Sequence, residues 1–335
     1  PPPPPPPPPP TFQAEDGIRD LVLSLVGSEM CIRDSFLHIA ELVVAGACLR
    51  QIGRACHLSH TTAARHLARA GRHGLLFHHR RLSAASIAEP IAVDGFESFE
   101  HSQFFPFHFH LAVGATSWCT LHFTDSPLRR SGRMTDQQKL RRAELERILG
   151  RPHPRAVEND VTELLTVVAP AVGAGQPITV LSDEHRSYPR AVRRLRAQLP
   201  TRTIVHRTTP STDPRTRANA LFPVNLADLL IRHCAADHKR ETIAFAKRRQ
   251  GSAERLAVHL LWRNYIKRRR ENGGSDTAAM AAGLSDRPLA FTEIFGRRLF
   301  RSLVELPARW GAYYARQVRT AACRRNSVHD LVYAF

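Results

Sequence analysis

The sequence lacks the features that mark several protein classes. Its 335 residues include only six cysteines, none in a C-x-x-C pair, which excludes a zinc ribbon and a thiol-disulfide redox motif. No apolar run reaches the roughly 20 residues that span a bilayer, so we expect no membrane partner. Scattered single cysteines are typical of proteins in a reducing cytoplasm, which is the location we expect.

Negative charge is also scarce. The chain has 48 Lys and Arg against 30 Asp and Glu, a formal net charge of +18, whereas an ordinary solvated surface is closer to balance. An excess of this size favours a polyanionic partner, most simply nucleic acid. The hydrophobic content of 43% is sufficient for a core, and the length suits about two domains.

Residues 1–35 do not have the composition of a folded segment. Ten consecutive prolines are followed by two blocks that each end in Ile-Arg-Asp, at 18–20 and 32–34. The blocks resemble the conceptual translation of sequencing-library adapters, so we predict a disordered artefact. A signal peptide is the alternative, but acids precede the short apolar run. This segment holds two Arg and five acids, so residues 36–335 carry +21.

Residues 36–85 have the spacing of three short helices. Apolar residues at helical spacing predict helices at 36–47 and 49–58, and Ser59 is a good N-cap for a third helix at 60–67. The arrangement resembles bacterial helix-turn-helix units, except that Gly53 replaces a small helix former and His57 replaces the turn glycine. A plain helical packing unit is the alternative. The residues expected to contact DNA from the third helix are His60, Thr61, Thr62, Arg65 and His66.

Two short, β-branched apolar runs each end in an aspartate. The first ends at Asp94 and the second at Asp183. Such runs predict buried strands, and carboxylates at the ends of neighbouring strands can hold a divalent metal through oxygen ligands. The alternative is that each Asp only caps the following turn. The occurrence of two such runs in a strongly basic chain favours the metal site.

Residues 86–272 have the element order of a mixed sheet. Predicted strands lie at 91–99, 105–113, 119–124, 178–183 and 203–206, and predicted helices lie at 136–149, 157–168 and 188–199. Three strands, a helical crossover, a strand, a helix and a strand are the ribonuclease-H-like order. Period-two alternation in the second strand predicts that His108 and His110 face solvent.

The sequence around both aspartates resembles the first two acid motifs of DDE transposases from bacterial insertion sequences. The matching segments are 93–99 (VDGFESF) and 181–188 (LSDEHRSY), with further likeness at 238–250 and 262–265 (WRNY). The resemblance covers about residues 36–335. It implies a ribonuclease-H-like fold, Mg²⁺ or Mn²⁺ as cofactor, cleavage and strand transfer of double-stranded transposon DNA, and a homo-oligomer when active. Relatives often carry a Cys-rich ribbon further upstream, and its absence here leaves open whether this copy is truncated.

The resemblance also implies a third metal ligand, usually Glu and sometimes Asn, on the helix after the fifth strand. Its candidates are Asn225, Asp228, Asp237 and Glu241. If 226–247 is one helix, 100° per residue places Asp228 about 200° from Leu226, facing solvent, and Asp237 and Glu241 on the inward side. We choose Glu241 as the third ligand. The alternative is that Glu241 pairs with a neighbouring basic residue.

Residues 273–335 form a basic tail. Eight arginines between 297 and 325 are interleaved with Trp310, Tyr313 and Tyr314, which suits a track for the DNA backbone and equally a solvated basic face. The expected protein is therefore a transposase with a helix-turn-helix module (36–85), a catalytic domain (86–272) and this tail. The alternative is a non-catalytic DNA-binding protein or regulator, derived from a decayed transposase.

Overall fold

The computed structural model describes residues 36–239 and 242–323. Its α-helices are α1 (36–44), α2 (Leu49–Ala55), α3 (His60–Ser83), α4 (Asp136–Leu149), α5 (Ala156–Val168), α6 (Ser187–Gln198), α7 (Phe222–Cys234), α8 (Arg249–Leu261), α9 (Ala278–Ala281), α10 (Phe291–Gly296) and α11 (Ala308–Tyr314). Its strands are β1 (Ile91–Phe99), β2 (Pro106–Gly114), β3 (Thr120–Pro127), β4 (Ile178–Ser182) and β5 (Ile204–Thr208). The adapter-like segment 1–35 lies outside the described residues, so the statement about it stays a prediction.

The five strands form one mixed sheet in the order β3-β2-β1-β4-β5. β1, β2 and β3 are antiparallel neighbours, whereas β4 pairs in parallel with both β1 and β5. Parallel neighbours require a crossover connection, and α4, α5 and α6 provide it. The expected mixed α/β fold is thus confirmed.

Helices cover the sheet on both faces. α5 packs on β2 and β3 and against α6, while α7 packs on β1 and β2 from the other side. The spacing of Val161, Leu164, Leu165 and Val168 gives α5 a fully buried apolar stripe, as an amphipathic helix on a sheet requires. Among the described helices, none combines the length and the apolar composition that crossing a bilayer would require.

Strand β2 is buried on both of its faces. Phe107 and Phe109 lie in the core shared with α7 and α8, and α5 packs on the opposite face. On that opposite face His110 is fully buried and His108 is mostly covered. The prediction that both histidines face solvent is therefore wrong, because alternation identifies residues that share a face but does not show what covers that face.

Helix α3 joins the N-terminal helices to the sheet-bearing part of the chain. Ser59 caps it, since the Ser59 hydroxyl accepts a hydrogen bond from the backbone N–H of Thr62 at 3.0 Å. The helix continues to Ser83, well beyond the predicted end at residue 67, and packs along α8. Gly71 permits this close approach, because a Cβ there would lie 2.6 Å from the carbonyl oxygen of Glu254.

The aromatic residues of the predicted basic tail are core residues. Those on α11 are at most 1% exposed: Trp310, Tyr313 and Tyr314. Arg309 on the same helix is ion-paired with Asp125 and Asp160. A DNA track that uses these aromatic rings is therefore excluded. The interleaved pattern misled the prediction because it also builds a buried helix whose arginine pairs with carboxylates. Two of the eight arginines, Arg324 and Arg325, lie outside the described residues.

Candidate active site at the end of strand β4

The structure brings Asp94 and Asp183 side by side. β1 and β4 are parallel neighbours whose register pairs residues 91–92 with residues 180–181. Asp94 and Asp183 each lie two residues beyond the last paired positions, and the two carboxylates are close enough for the charge of Asp183 to act on Asp94. Asp183 is the first residue after β4, whereas β1 continues beyond Asp94 to Phe99. The pair therefore lies at the point where β1 loses β4 as its neighbour in the sheet. Both side chains are partly buried.

The carboxyl group of Asp94 is held in a poorly solvated position. Burial is the largest cause that raises its pKa to about 6, from an ordinary value of 3.8, and the negative charges of Asp183 and Asp228 raise it further. The hydroxyl of Tyr188 donates a hydrogen bond to Asp94 Oδ1 at 3.2 Å, which opposes this shift and orients the carboxylate. Tyr188 is the second residue of α6 and belongs to the segment 181–188, but the sequence alone assigned it no role.

The loop after β4 is ordered by its own side chains. Asp183 Oδ1 accepts a hydrogen bond from the backbone N–H of His185 at 2.8 Å, which closes an Asx turn. The side chain of Glu184 reaches the loop after β5, where its Oε2 accepts from the backbone N–H of Ser211 at 3.2 Å. One oxygen of Asp183 is thus used in the turn, in agreement with the capping alternative, while its charge still acts on Asp94.

Helix α7 supplies another carboxylate, Asp228, whose charge acts on Asp94. The helix ends at Cys234, where Ala235 takes an extended backbone, so the predicted single helix 226–247 is wrong. Its buried stripe is Pro223, Val224, Ala227, Ile231 and Cys234. Asp228 lies next to that stripe, above β1, and acts electrostatically on Asp94. The prediction that Asp228 faces solvent is wrong, because it was measured from Leu226, which lies outside the stripe.

The other candidates for the third ligand have different positions. Asn225 is partly buried on α7, about one turn before Asp228. Asp237 is buried in an ion pair with Arg255 Nε at 3.2 Å and accepts from the Ser252 hydroxyl at 2.7 Å, so it is held by α8. Glu241, the predicted ligand, lies outside the described residues, and its role stays a prediction.

The acid pair has the donor chemistry that a divalent cation requires. Asp94 and Asp183 offer hard carboxylate oxygens, and a cation between them would relieve the repulsion that raises the pKa of Asp94. In the part of the chain that the structure describes, no three His, Cys, Asp or Glu side chains stand close enough together to hold a metal. Any cation held here by the described residues would therefore have two carboxylates, Asp94 and Asp183, as its protein ligands.

A buried chain of hydrogen-bonded polar side chains runs from β2 to β3 and on to α5. His108 is linked to His110 through their Nδ1 atoms at 3.0 Å, and His110 Nε2 to the hydroxyl of Ser126 at 2.7 Å. Because Ser126 donates to a carboxylate oxygen of Asp160 at 2.7 Å, the preceding bonds run from His108 to His110 and from His110 to Ser126. Burial lowers the pKa of His108 to about 4, so its ring is neutral at pH 7.

The predicted DNA-contacting residues of α3 divide into two groups. His60, Thr61 and Arg65 are exposed and Thr62 is partly exposed, with its hydroxyl bonded to Ser59 at 2.9 Å. His66 is instead 9% exposed, and its ring contacts the edge of Phe36. The expectation that His66 projects outward is wrong, since residue 66 lies on the face that packs against α1.

The turn before α3 accounts for the two unusual residues of this segment. A Cβ at Gly53 would lie 2.7 Å from the carbonyl oxygen of Leu58, so the turn crosses too close to α2 for a larger residue. His57 occupies the left-handed region with φ of 52°, where glycine is favoured but a non-glycine residue is tolerated at a modest cost. The tight turn between α2 and the capped start of α3 therefore forms without a turn glycine.

No protein-family model and no curated protein matches the chain. Among solved structures, similarity was found to a chain of the simian T-cell lymphotropic virus intasome in complex with the PP2A regulatory subunit B56 gamma. The two chains are 12% identical with a TM-score of 0.29, and the match covers 61% of this chain and 58% of that chain, less than two thirds of its length. A likeness at this level establishes neither the fold nor the function.

Proposed function

We propose that this protein is a DDE-type transposase that binds the ends of an insertion sequence and catalyses metal-dependent cleavage and strand transfer of double-stranded DNA. The observation that carries the proposal is the placement of Asp94 and Asp183 on adjacent parallel strands at the point where β4 ends. The strand order β3-β2-β1-β4-β5, with its antiparallel and parallel halves, supports a ribonuclease-H-like fold. This proposal includes action in the cytoplasm and as a homo-oligomer.

The chemistry assigned to the site follows from its residues. Asp94 and Asp183 would hold Mg²⁺ or Mn²⁺, which supplies charge stabilisation to a phosphoryl group and acidifies bound water. Tyr188 keeps the Asp94 carboxylate oriented through its hydrogen bond. Asp228 is the third acid that the described residues favour, because its charge already acts on Asp94 from α7.

DNA recognition is assigned to the N-terminal helices. The exposed start of α3 carries His60, Thr61 and Arg65, which can reach phosphates and base edges, and α3 is anchored in the core by its second half. The net charge of +21 on residues 36–335 supplies attraction for the phosphate backbone. We propose this segment as a helix-turn-helix module.

A second candidate function is a non-catalytic DNA-binding protein. It is favoured by the ion pair between Asp228 Oδ1 and Arg232 Nε at 3.5 Å, which gives the third carboxylate a positively charged partner within its own helix. An Asp228 that stays bound to Arg232 would leave two acids for a metal, and two acids suit binding better than two-metal chemistry.

The test is cleavage of a labelled duplex carrying the DNA that flanks the gene, measured beside a gel shift on the same duplex. The parent protein should cut with Mg²⁺ or Mn²⁺, and Asp94→Asn and Asp183→Asn should each abolish cutting while leaving the gel shift unchanged. Asp228→Asn should also abolish cutting, whereas Asp286→Asn, an exposed loop acid remote in sequence from the site, is the matched control and should cut like the parent.

The outcomes separate the two functions. A parent protein that shifts the duplex and cuts it under no metal condition supports the non-catalytic candidate. Cutting by Asp94→Asn at the parental rate contradicts the assignment of the acid pair. If Asp228→Asn cuts and Glu241→Gln does not, the third ligand is Glu241, as the sequence predicts.

A further inference from the structure

Exposed arginines follow one face of helix α6, beside the acid pair. The buried face of α6 is Tyr188, Ala191, Val192 and Leu195. Arg186, Arg190 and Arg193 are spaced four and three residues apart on the opposite face, and all three are exposed. At 1.5 Å per residue they extend along about 10 Å of the helix, a length that matches about three base pairs of duplex DNA.

These three arginines differ from their neighbours in how they are bonded. Arg194 on the same helix is paired with Glu158 at 3.1 Å, and Arg196 donates to the carbonyl oxygen of Ile204. Within the part of the chain that the structure describes, Arg186, Arg190 and Arg193 make no ion pair with a carboxylate. The helix thus uses some arginines to hold the fold and leaves a row of others facing solvent.

The same sheet edge carries a second exposed basic segment. β4 and β5 are parallel with Ser182 opposite Thr208, so the loops that follow them leave the sheet at the end where Asp183 lies. The loop after β5 carries Arg215 and Arg217, both exposed, and the Glu184–Ser211 hydrogen bond ties it to the loop after β4. Between residues 184 and 217 there are nine arginines and only two carboxylates.

We propose that this surface, formed by Arg186, Arg190, Arg193, Arg215 and Arg217, is a binding track for the phosphate backbone of duplex DNA that leads to the acid pair. It rests on the proposed function and deepens it, because it places the substrate across the β5 edge of the sheet, in addition to the contacts assigned to α3. Guanidinium groups suit this role, since each can donate two parallel hydrogen bonds to a phosphate. The threonines and serines of the connecting loop add neutral donors.

The test is the salt dependence of binding to a labelled 30-base-pair duplex of random sequence. The triple variant Arg186→Ala, Arg190→Ala, Arg193→Ala is compared with a control of equal charge change: Arg133→Ala, Arg147→Ala, Arg155→Ala. The control residues are exposed and lie around α4, which follows the opposite edge strand β3. Thermal melting of both variants checks that each remains folded.

The expected result is a change in the slope of log affinity against log salt concentration. Each phosphate contact contributes about 0.9 to that slope, so losing three should reduce it by about 2.7 in the α6 variant and hardly at all in the control. Between 50 and 200 mM salt, the parent affinity should therefore fall about 40-fold further than that of the α6 variant.

Other results would overturn one proposal or the other. If the α6 variant keeps the parental slope, or if the control loses as much as the α6 variant, the track is wrong and the proposed function stands. If poly-glutamate displaces DNA as well as unlabelled duplex of equal charge does, the surface binds polyanions in general and the track is also wrong. If the parent binds duplex DNA with no salt dependence, the proposed function itself fails.

Discussion

Replacing Asp94 by asparagine should stabilise the metal-free protein. The amide has nearly the shape of the carboxyl group and keeps an oxygen that accepts the hydrogen bond from Tyr188, but it removes the charge that burial and Asp183 disfavour. The pKa of Asp94 is raised from 3.8 to about 6 in the folded state. At about 1.4 kcal/mol per pKa unit, the ionised carboxylate costs the folded protein up to about 3 kcal/mol at pH 8.

The effect has a defined dependence on pH. An acid whose folded pKa is raised destabilises the fold above about pH 6, and this cost disappears as the pH falls to its unfolded value of 3.8. The advantage of Asp94→Asn over the parent should therefore be largest at pH 8 and absent near pH 4. Divalent metal should nearly cancel this advantage at pH 8, since a ligand at 100 times its Kd adds about 2.7 kcal/mol to the parent.

The assay is urea unfolding at pH 8, 6 and 4, in EDTA and in about 10 mM MgCl₂. That concentration is enough to saturate a weak Mg²⁺ site. Asp213→Asn is the control, and as an exposed loop substitution it should change the unfolding free energy by less than about 0.5 kcal/mol. A parent protein that is as stable as Asp94→Asn at pH 8 in EDTA would refute the reasoning, because it would show that the carboxylate is well solvated.

Three further predictions concern residues of helix α3. Gly71→Ala should lower the unfolding free energy by about 1–3 kcal/mol, because its Cβ would lie 2.6 Å from the backbone of α8. Gly74→Ala should cost less, because its Cβ comes no closer than 3.1 Å to α8, and equal costs in urea unfolding would contradict this. Burial lowers the pKa of His73 from 6.5 to about 4, so its contribution to stability is present above pH 6.5 and is lost as the pH falls; relative to the parent, His73→Gln should gain up to about 3 kcal/mol between pH 7 and pH 4, and a constant difference would be the wrong result. Arg65→Ala should weaken DNA binding in a gel shift more than His66→Ala does when both variants are folded, because Arg65 is exposed and His66 is buried.

The sequence predicted the sheet because its signals are local. A β-branched run that ends in Asp identifies both the strand and the residue at its end, and the structure brings Asp94 and Asp183 together through the parallel register of β1 and β4. The helical crossovers follow from the same local patterns, and the mixed α/β class with five strands is confirmed.

The length of α7 and the position of Asp228 could not be predicted from the sequence, because both depend on what the helix packs against. Residues 235–239 contain neither Gly nor Pro, so nothing in the sequence interrupts the helical pattern that was extended to residue 247. In the structure, Ala235 leaves the helix and Asp237 pairs with Arg255 of α8, a contact between residues far enough apart that no local pattern reveals it. The inward face of α7 is set by its packing on β1 and β2, which places Asp228 beside the buried stripe rather than opposite it.

The predictions for the C-terminal aromatic residues and for the two histidines of β2 were wrong for a related reason. A basic helix with aromatic residues has the same sequence pattern whether its rings stack on nucleic acid or fill a core. The difference at Trp310 is made by β3, whose Phe123 carbonyl accepts the indole N–H at 2.9 Å. His110 is likewise buried by α5, which is remote in sequence.

The central claim, that Asp94 and Asp183 together bind a divalent cation, is tested most directly by crystals grown with MnCl₂ and measured for anomalous scattering from manganese. We expect a manganese peak between the two carboxylates, with an oxygen from each at about 2.2 Å, and we expect the peak to disappear in crystals of Asp183→Asn. Well-ordered crystals of the parent protein with no manganese at these residues, or with manganese bound only elsewhere, would contradict the claim.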